Sequence, residues 1–416
     1  MNMTALPTRE ALLQRAASVP LAEMDVSDFD LFEHDALWPY FARLRREDPV
    51  HYHTDSRYGP YWSITAYDDI KAIDTDHERF SSEGSIGIDD MPADFTTPMF
   101  IAMDQPRHDE QRKAVSPVVG PRSLGGFETI IRERVINILD NLPVGETFNW
   151  VDHVSVELTT QMLATLFNFP FEERAKLTRW SDAATLSGIP RTQRRQELLE
   201  CLSYFVDLWH QRSEQEPSFD LISMLAHGEA TKDMINKPME FLGNILLLIV
   251  GGNDTTRNSI SGGVLALNQF PAEYQKLREN VNLIPNMVAE IIRWQTPLAY
   301  MRRTALTNVE VNGKQIKKGD KVVMWYVSGN RDETRFPDAD KLIIDRDNAR
   351  NHISFGFGIH RCMGNRLAEM QLRVLWEEIM QRFEHVEVVG EPTRVRSNLV
   401  RGYSQLPVRL HPRTQA

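Results

Sequence analysis

Apolar residues recur every three or four positions through much of the middle of the chain, which places them on one face of a helix. The recurrence is clearest in residues 130–142, 198–209 and 239–267. Another amphipathic stretch follows residue 364, and its apolar positions are Leu367, Met370, Val374 and Phe383. We therefore predict that helices dominate from about residue 104 to residue 277 and return after residue 364.

Strand-like patterns are fewer and are grouped toward the two ends of the chain. They cover residues 50–65, 309–325 and the region around 386–410. Within the second of these, Asn312-Gly313 is flanked by apolar residues, which is a strong signal for a tight hairpin. The sequence thus predicts a mainly α protein with small β-sheets. We expect one domain over residues 1–416, of which about the first 25 residues form a peripheral segment.

The composition is that of an ordinary globular protein, with 42% hydrophobic and 25% charged residues among 416. A net charge of -11 argues against nucleic acid as a general partner. The longest apolar run, residues 245–250, is far too short to cross a bilayer, and the first residues do not resemble a signal peptide. We expect a cytoplasmic monomer.

The two cysteines, Cys201 and Cys362, lie far apart, which argues against a disulfide framework or a zinc ribbon. Cys362 ends the run Phe355-Gly-Phe-Gly-Ile-His-Arg-Cys362, and a predicted helix follows at once. Unpaired N–H groups at a helix N-terminus lower the pKa of a thiol and favour the thiolate, the form that binds metals. The glycines of the run let a flat group approach closely. The alternative is an inert core cysteine, and we keep that interpretation for Cys201.

Two adjacent glycines, Gly251 and Gly252, interrupt the strongly apolar helix predicted over residues 239–267. Each costs about 1 kcal/mol relative to alanine inside a helix, so open space at this point is expected to serve a purpose. Asp254 and Thr255 follow directly. Taken alone, this sequence also fits an ordinary helix cap.

In order and spacing, the two motifs resemble those of the cytochrome P450 family: F-x-x-G-x-H-x-C-x-G around Cys362, and G-G-x-[DE]-T around Asp254. The resemblance covers almost the whole chain, from about residue 29 to residue 407. It implies the P450 fold and a haem-thiolate monooxygenase in which the Cys362 thiolate is the protein's ligand to the iron of haem b, with dioxygen as co-substrate. It also implies that Asp254 and Thr255 are catalytic and deliver protons to dioxygen.

The resemblance further implies which residues hold the haem. Its propionates would be bound by His108, Arg112, Arg303 and His360, with Arg302 as an alternative to Arg303. The other expected cofactor contacts are Phe355, Gly364, Gly251 and Gly252.

A Glu-x-x-Arg pair, Glu290 and Arg293, is buried in members of the family and joins a later arginine, for which Arg346 is the candidate here. We expect these three residues to be a scaffold for the cysteine loop rather than catalytic groups.

Five runs are similar to the soluble bacterial alkane hydroxylases of this family, which attack the terminal methyl group of medium-chain alkanes and related fatty acids or alcohols. They are residues 99–104, 249–258, 291–298, 324–332 and 355–362. Terminal selectivity requires a narrow apolar tunnel that presents only the chain end. The expected walls are Ile86, Ile88, Met91, Phe95, Met99, Phe100, Leu248, Leu298 and Met301. Residues 84–97 depart from the pattern by carrying three aspartates, Asp89, Asp90 and Asp94, which we expect to alter chain-length preference.

The chain has no flavin or iron–sulfur segment of its own, so electrons from NAD(P)H are expected to arrive through a ferredoxin reductase and a small acidic ferredoxin. A basic face formed by Arg112, Lys113, Arg361, Arg366 and Arg373 would attract the ferredoxin. The alternatives are a P450 acting on another apolar substrate, such as a terpene or a steroid, and a peroxide-driven haem-thiolate enzyme. The Gly-Gly-Asn-Asp-Thr motif argues against a non-catalytic haem sensor.

Overall fold

The computed structural model describes residues 7–413 and is mainly helical with small sheets, so the predicted fold class is confirmed. The α-helices are α1 (Arg9–Ser18), α2 (Phe29–Glu33), α3 (Trp38–Glu47), α4 (Tyr67–Thr75), α5 (Arg107–Val115), α6 (Pro121–Asp140), α7 (Glu157–Phe167), α8 (Ala175–Thr185), α9 (Arg191–Ser213), α10 (Leu221–His227), α11 (Pro238–Gln269), α12 (Pro271–Glu279), α13 (Ile284–Gln295), α14 (Tyr326–Gly329) and α15 (Asn365–Arg382). The strands are β1 (Val50–His53), β2 (Tyr61–Ile64), β3 (Phe80–Ser81), β4 (Thr147–Asn149), β5 (Met301–Ala305), β6 (Val309–Val311), β7 (Lys314–Ile316), β8 (Lys321–Met324), β9 (Phe383–Val388), β10 (Thr393–Arg394), β11 (Tyr403–Gln405) and β12 (Pro407–Pro412).

The centre of the helical body is α11, which is buried along most of its length. It packs against α7, α8, α9, α13 and α15, so its apolar residues contribute to the largest core cluster. The three helices predicted from apolar spacing correspond to α6, α9 and α11. One predicted helical position, Phe383, is wrong, because the chain turns extended there and begins β9. Its side chain is buried, so the apolar spacing continued across the change from helix to strand.

A five-stranded sheet lies beside the helices in the order β1-β2-β8-β5-β3. Only β2 and β8 run parallel to each other, and the other neighbours are antiparallel. The sheet thus joins an early segment of the chain to β5 and β8, which follow the central helices. Asn312 and Gly313 connect β6 to β7 with φ values of 47° and 75°, the conformation of the predicted tight hairpin.

The early part of the chain packs into a second core cluster. Residues 1–6 of the predicted peripheral segment lie outside the described residues. The helix that follows, α1, packs against α3 and buries Leu12 and Ala16. In the range 7–413, no helix combines the length and the apolar character needed to span a membrane.

Candidate active site

The cysteine loop, residues 355–364, leads into α15, which begins at Asn365 just after Gly364. The backbone N–H of Cys362 donates to the carbonyl oxygen of Phe355 at 2.8 Å, which closes the loop. Gly358 has a φ of +66°, and a Cβ placed there would lie 2.6 Å from the carbonyl oxygen of Asp74 in α4. Only glycine satisfies both the left-handed conformation and this close approach.

Cys362 is exposed as a residue although the surrounding protein desolvates its thiol, whereas Cys201 is fully buried in the main core. Burial by the surrounding protein raises the pKa of the Cys362 thiol, and the N–H groups of Gly364 and Asn365 and the charge of Arg112 oppose that shift. The expected lowering from the helix N-terminus is therefore present but is outweighed by desolvation in the protein alone. A bound cation would add the missing stabilisation of the thiolate.

Two histidines and an arginine lie together beside this loop. The ring centroids of His108, on α5, and His360 are 4.2 Å apart. Arg112, one turn further along α5, donates to the carbonyl oxygen of Arg361 at 2.5 Å. Burial, aided by the charge of Arg303, lowers the pKa of His360 to about 2, so its imidazole is neutral and carries one N–H donor.

The two neighbouring arginines of β5 point to opposite faces of the sheet, as successive strand residues do. Arg303 is buried near His360, and its Nη2 donates to Asp74 Oδ1 at 2.7 Å. Arg302 instead binds Asp90 Oδ1 at 2.6 Å on the other side. The structure therefore groups Arg303, and not Arg302, with the histidines. Sequence analysis missed Asp74, which has no motif of its own.

In the central helix, Gly251 and Gly252 have different surroundings. Gly251 is exposed within an otherwise buried stretch, and a Cβ there would meet no atom within 4 Å. A Cβ on Gly252 would lie 2.9 Å from Leu163 in α7, so this glycine permits close helix packing. Thr255 is partly exposed next to the opening at Gly251, and its Oγ1 donates to the carbonyl oxygen of that glycine at 3.3 Å. Since α11 continues to residue 269, the helix-cap alternative is wrong.

Asp254 is completely buried and is held by groups that sequence analysis did not identify. Its carboxylate binds Arg257 at 2.9 Å, one turn further along α11. It also accepts hydrogen bonds from Ser181 and Thr185 of α8, at 3.1 and 3.0 Å. Their only sequence signal is that a buried aspartate requires donors.

The predicted scaffold residues form one buried ion cluster. Arg293 donates two hydrogen bonds of 2.7 Å to the Glu290 carboxylate, and Arg346 adds another at 3.0 Å. Arg293 also donates to the carbonyl oxygen of Asn330, whose side-chain amide donates to Ser354 Oγ at 2.8 Å. The cluster is thereby linked to the residue directly before the cysteine loop.

The residues expected to line the substrate tunnel differ in how deeply they are buried. The half-buried ones are Ile86, Met91, Phe95, Met99, Leu298 and Met301, whereas Ile88, Phe100 and Leu248 are buried. Ile88 belongs to the second core cluster with Tyr58 and Tyr300, so its side chain is used in packing. Asp90, in the segment 84–97, forms ion pairs with Arg302 and Lys321. These ion pairs fix the position of this part of the segment.

The expected basic face is only partly available to a partner. Arg373 is bound by Glu128 and Glu377, and Arg112 is half-buried, which removes them as free surface charges. The exposed cations are Lys113, Arg361 and Arg366, together with Arg350, which sequence analysis missed. Burial raises the pKa of Glu369, and the charges of Arg350, Arg361 and Arg366 oppose that shift because all three surround it.

These groups fit a flat cofactor that carries carboxylates and a metal ion. Among residues 7–413, Nε2 of His108 and both ring nitrogens of His360 are buried without a hydrogen-bond partner. Such donors are what two buried propionates require. Cys362, which is exposed, lies in the same loop as His360. Fold and site together define a helical protein whose cysteine loop and buried donors fit a carboxylate-bearing metal cofactor.

Comparison with known proteins specifies the family. The cytochrome P450 family model matches residues 202–407. The chain is 34% identical to linalool 8-monooxygenase of Pseudomonas putida over 94% of this chain and 99% of that protein. It is 30% identical to a methyl-branched lipid omega-hydroxylase of Mycobacterium tuberculosis, over 94% and 95% of the two proteins. A solved structure of cytochrome P450-153 from Novosphingobium aromaticivorans is 48% identical, covers 93% of this chain and 99% of its own, and gives a TM-score of 0.87.

The chain belongs to the cytochrome P450 family. Membership implies a monooxygenase with a haem-thiolate iron, dioxygen as co-substrate and electrons supplied by a redox partner.

Proposed function

We propose that the protein hydroxylates the terminal methyl group of medium-chain linear substrates, namely n-alkanes and the related fatty acids and primary alcohols. The observation that carries this proposal is the similarity of five runs, spread from residue 99 to residue 362, to soluble bacterial alkane hydroxylases. The relative named methyl-branched lipid omega-hydroxylase acts, by its name, at a chain end.

When bound, the haem supplies the iron that activates dioxygen and transfers one oxygen atom to a C–H bond. Cys362 would hold the iron, and His108, Arg112, Arg303 and His360 would bind the propionates. Gly251 and Gly364, where an added Cβ would meet no atom within 4 Å, would leave room for the ring, and Phe355 would pack against it; Gly252 instead faces Leu163 of α7, which contradicts its expected contact with the cofactor. His360, whose ring nitrogens have no hydrogen-bond partner in the protein, would donate a ring N–H to a propionate.

Asp254 and Thr255 would move protons to the oxygen site. Thr255 is the group beside the opening at Gly251, and the buried Asp254 is adjacent to it along α11. A peroxide-driven enzyme does not need such a relay. Thr255→Ala therefore separates the two possibilities: in a dioxygen-dependent enzyme it uncouples oxygen consumption from product formation, whereas a peroxide-driven enzyme keeps its product yield.

Terminal selectivity requires that only the chain end reaches the oxygen site, because a terminal C–H bond is stronger than its internal neighbours. The half-buried side chains Leu298 and Met301 follow α13. Met99 precedes α5, the helix that carries the expected propionate-binding residues His108 and Arg112. We assign these three apolar residues to the inner part of the tunnel. Ile88 is not assigned to it, since its side chain packs in the second core cluster.

The test is the position of oxygen insertion. The enzyme, reconstituted with a surrogate ferredoxin and reductase, is given a medium-chain alkane and the matching fatty acid, and the products are identified by mass spectrometry. A primary alcohol or an ω-hydroxy acid supports the proposal. Internal alcohols contradict it while leaving the monooxygenase class intact. Leu298→Ala is expected to raise the internal fraction, and Ile88→Val, a change in the core, serves as the matched control.

A terpene alcohol is the second candidate substrate, because a relative of 34% identity is named linalool 8-monooxygenase. Competition between linalool and a linear alkane in the same reconstituted system decides between them. A higher kcat/KM for linalool would replace the linear substrate by the terpene.

A further inference from the structure

The buried carboxylate of Asp74, at the end of α4, connects three separate parts of the site. It is 3% exposed. Its Oδ1 accepts from Arg303 Nη2 at 2.7 Å. Its Oδ2 accepts from the Phe357 N–H at 2.7 Å and from the Tyr326 hydroxyl at 2.9 Å. The same carboxylate therefore binds the arginine of β5, the start of α14 and the backbone of the cysteine loop.

The cysteine loop is shaped to approach this carboxylate. Gly356 has a φ of +63°, and a Cβ there would lie 3.1 Å from Asp74 Oδ2. Gly358 would meet the Asp74 backbone even more closely, at 2.6 Å from its carbonyl oxygen. Both glycines with left-handed backbone conformations therefore face the same aspartate. The conformation of the cysteine loop thus depends on close contact with Asp74.

Of the three groups that donate to the Asp74 carboxylate, only Arg303 carries a positive charge. Burial raises the pKa of this carboxyl, whereas Arg303, the Phe357 N–H and the Tyr326 hydroxyl all favour its ionised form. Arg303 also donates to the Arg302 carbonyl oxygen, and that bond and the Asp74 ion pair together fix its guanidinium. A cofactor carboxylate would have to share this single guanidinium with Asp74.

We propose that Asp74 is a positioning residue for the haem: it orients Arg303 toward a propionate, ties that arginine to the cysteine loop, and lowers the reduction potential of the iron. Reduction adds one electron to the iron, and a nearby negative charge disfavours the more negative state. The proximity of a second carboxylate also reduces the positive charge that Arg303 offers to the propionate. Both effects lower the reduction potential of the iron.

This inference rests on the proposed role of Arg303 and does not involve the substrate. Its readouts are haem binding and reduction potential, so it can fail while terminal hydroxylation is observed, and it can hold if the substrate proves to be a terpene. The two proposals are therefore tested separately.

The experiment compares Asp74→Asn with Tyr326→Phe in the purified holoprotein. The first change removes the negative charge, and we expect a higher midpoint potential and a haem-transfer rate to a haem-free acceptor protein that rises roughly 10- to 100-fold, the range typical of lost outer-shell partners. The second change keeps the charge but removes one donor to it, so the carboxylate interacts more strongly with Arg303 and the midpoint potential falls.

A merely structural role moves both variants in the same direction, because each weakens the hydrogen bonding of the same buried group. Equal-sign shifts, or no shift in either variant, would overturn the proposal. A double-mutant cycle with Arg303→Met adds a second measurement: Asp74→Asn should change haem transfer little once Arg303 is gone, and full additivity would contradict action through that arginine. If Asp74→Asn yields no holoprotein, Tyr326→Phe alone is decisive. A lower midpoint potential supports the proposal, and a higher or unchanged one contradicts it.

Discussion

Arg257 lies one helical turn after Asp254 on α11 and binds its carboxylate at 2.9 Å. The same guanidinium donates to Asp182 of α8 at 3.1 Å. Asp254 is fully buried, whereas the side chain of Asp182 is 35% exposed and lines a groove between α7, α8 and α9. One arginine therefore joins an interior carboxylate to one in contact with solvent.

Asp254→Asn tests the proton-transfer role directly. Asparagine can keep hydrogen bonds with Ser181 and Thr185, but it cannot carry a proton. We expect product formation to fall about 100-fold or more, the usual contribution of a positioned acid or base, with a larger solvent deuterium isotope effect.

The measurement is product formed per minute in H2O and in D2O, at a fixed concentration of reduced ferredoxin. Asp207→Asn, which alters an exposed acid on α9, is the control and should change neither quantity. An Asp254→Asn enzyme with unchanged turnover and isotope effect would remove Asp254 from the relay.

Glu290→Gln should destabilise the whole fold. Glu290 is the counter-charge for both Arg293 and Arg346, and all three are buried. Neutralising it leaves two uncompensated guanidinium groups, for which the expected loss is about 3–5 kcal/mol in the free energy of unfolding. Thermal unfolding followed by circular dichroism checks this.

The matched control is Glu47→Gln, which breaks surface pairs with Arg43 and Arg46 on α3. Exposed pairs contribute at most about 1 kcal/mol. Similar losses in the two variants would mean that the interior cluster contributes no more than a surface ion pair.

The main elements are predictable from the sequence because their signals are local. Apolar spacing marked α11, and Asn312-Gly313 marked the hairpin between β6 and β7. The predicted helix extends past the end of α15 because the buried Phe383 fits the spacing of either a helix or a strand. Periodicity alone cannot separate these two cases.

The partners of the site residues were beyond sequence analysis. Arg257 and Ser181 touch Asp254, and Asp74 touches Arg303. Arg257 lies in the run 249–258, but nothing in that run assigns it a partner, and the other two belong to no recognisable motif. Their positions depend on how α4, α8 and α11 pack, which is a tertiary property. The choice between Arg302 and Arg303 similarly required the register of β5.

Charge reversal on the basic face should slow electron delivery. Arg361→Glu with Arg366→Glu replaces two exposed cations beside the cysteine loop. Because complementary charges mainly raise the association rate, we expect reduction by an acidic ferredoxin to slow at low ionic strength and to lose most of its salt dependence. Stopped-flow reduction over a range of salt concentrations measures both.

Arg409→Glu, which carries half of that charge change, is the control for charge reversal away from the cysteine loop, since this residue is exposed on β12. It should leave the rate and its salt dependence near those of the unmodified protein. If the double variant behaves like this control, the ferredoxin does not use this face. Arg373 is not a suitable target, because Glu128 and Glu377 already bind it.

Gly358→Ala should disrupt the cysteine loop while leaving the helical body folded. At this position φ is +66°, and the added methyl group would lie 2.6 Å from the carbonyl oxygen of Asp74, a backbone atom that cannot rotate away. The loop must therefore shift, and with it the thiol of Cys362. We expect a lower haem content and a smaller fraction of the ferrous carbon monoxide complex with a thiolate-type absorption band, but unchanged far-ultraviolet circular dichroism.

Gly125→Ala is the matched control, since Gly125 lies within α6 with no atom within 4 Å of its added Cβ and gains about 1 kcal/mol of helix propensity. A Gly358→Ala protein with full haem content and an unaltered thiolate band would show that the cysteine loop tolerates displacement from Asp74.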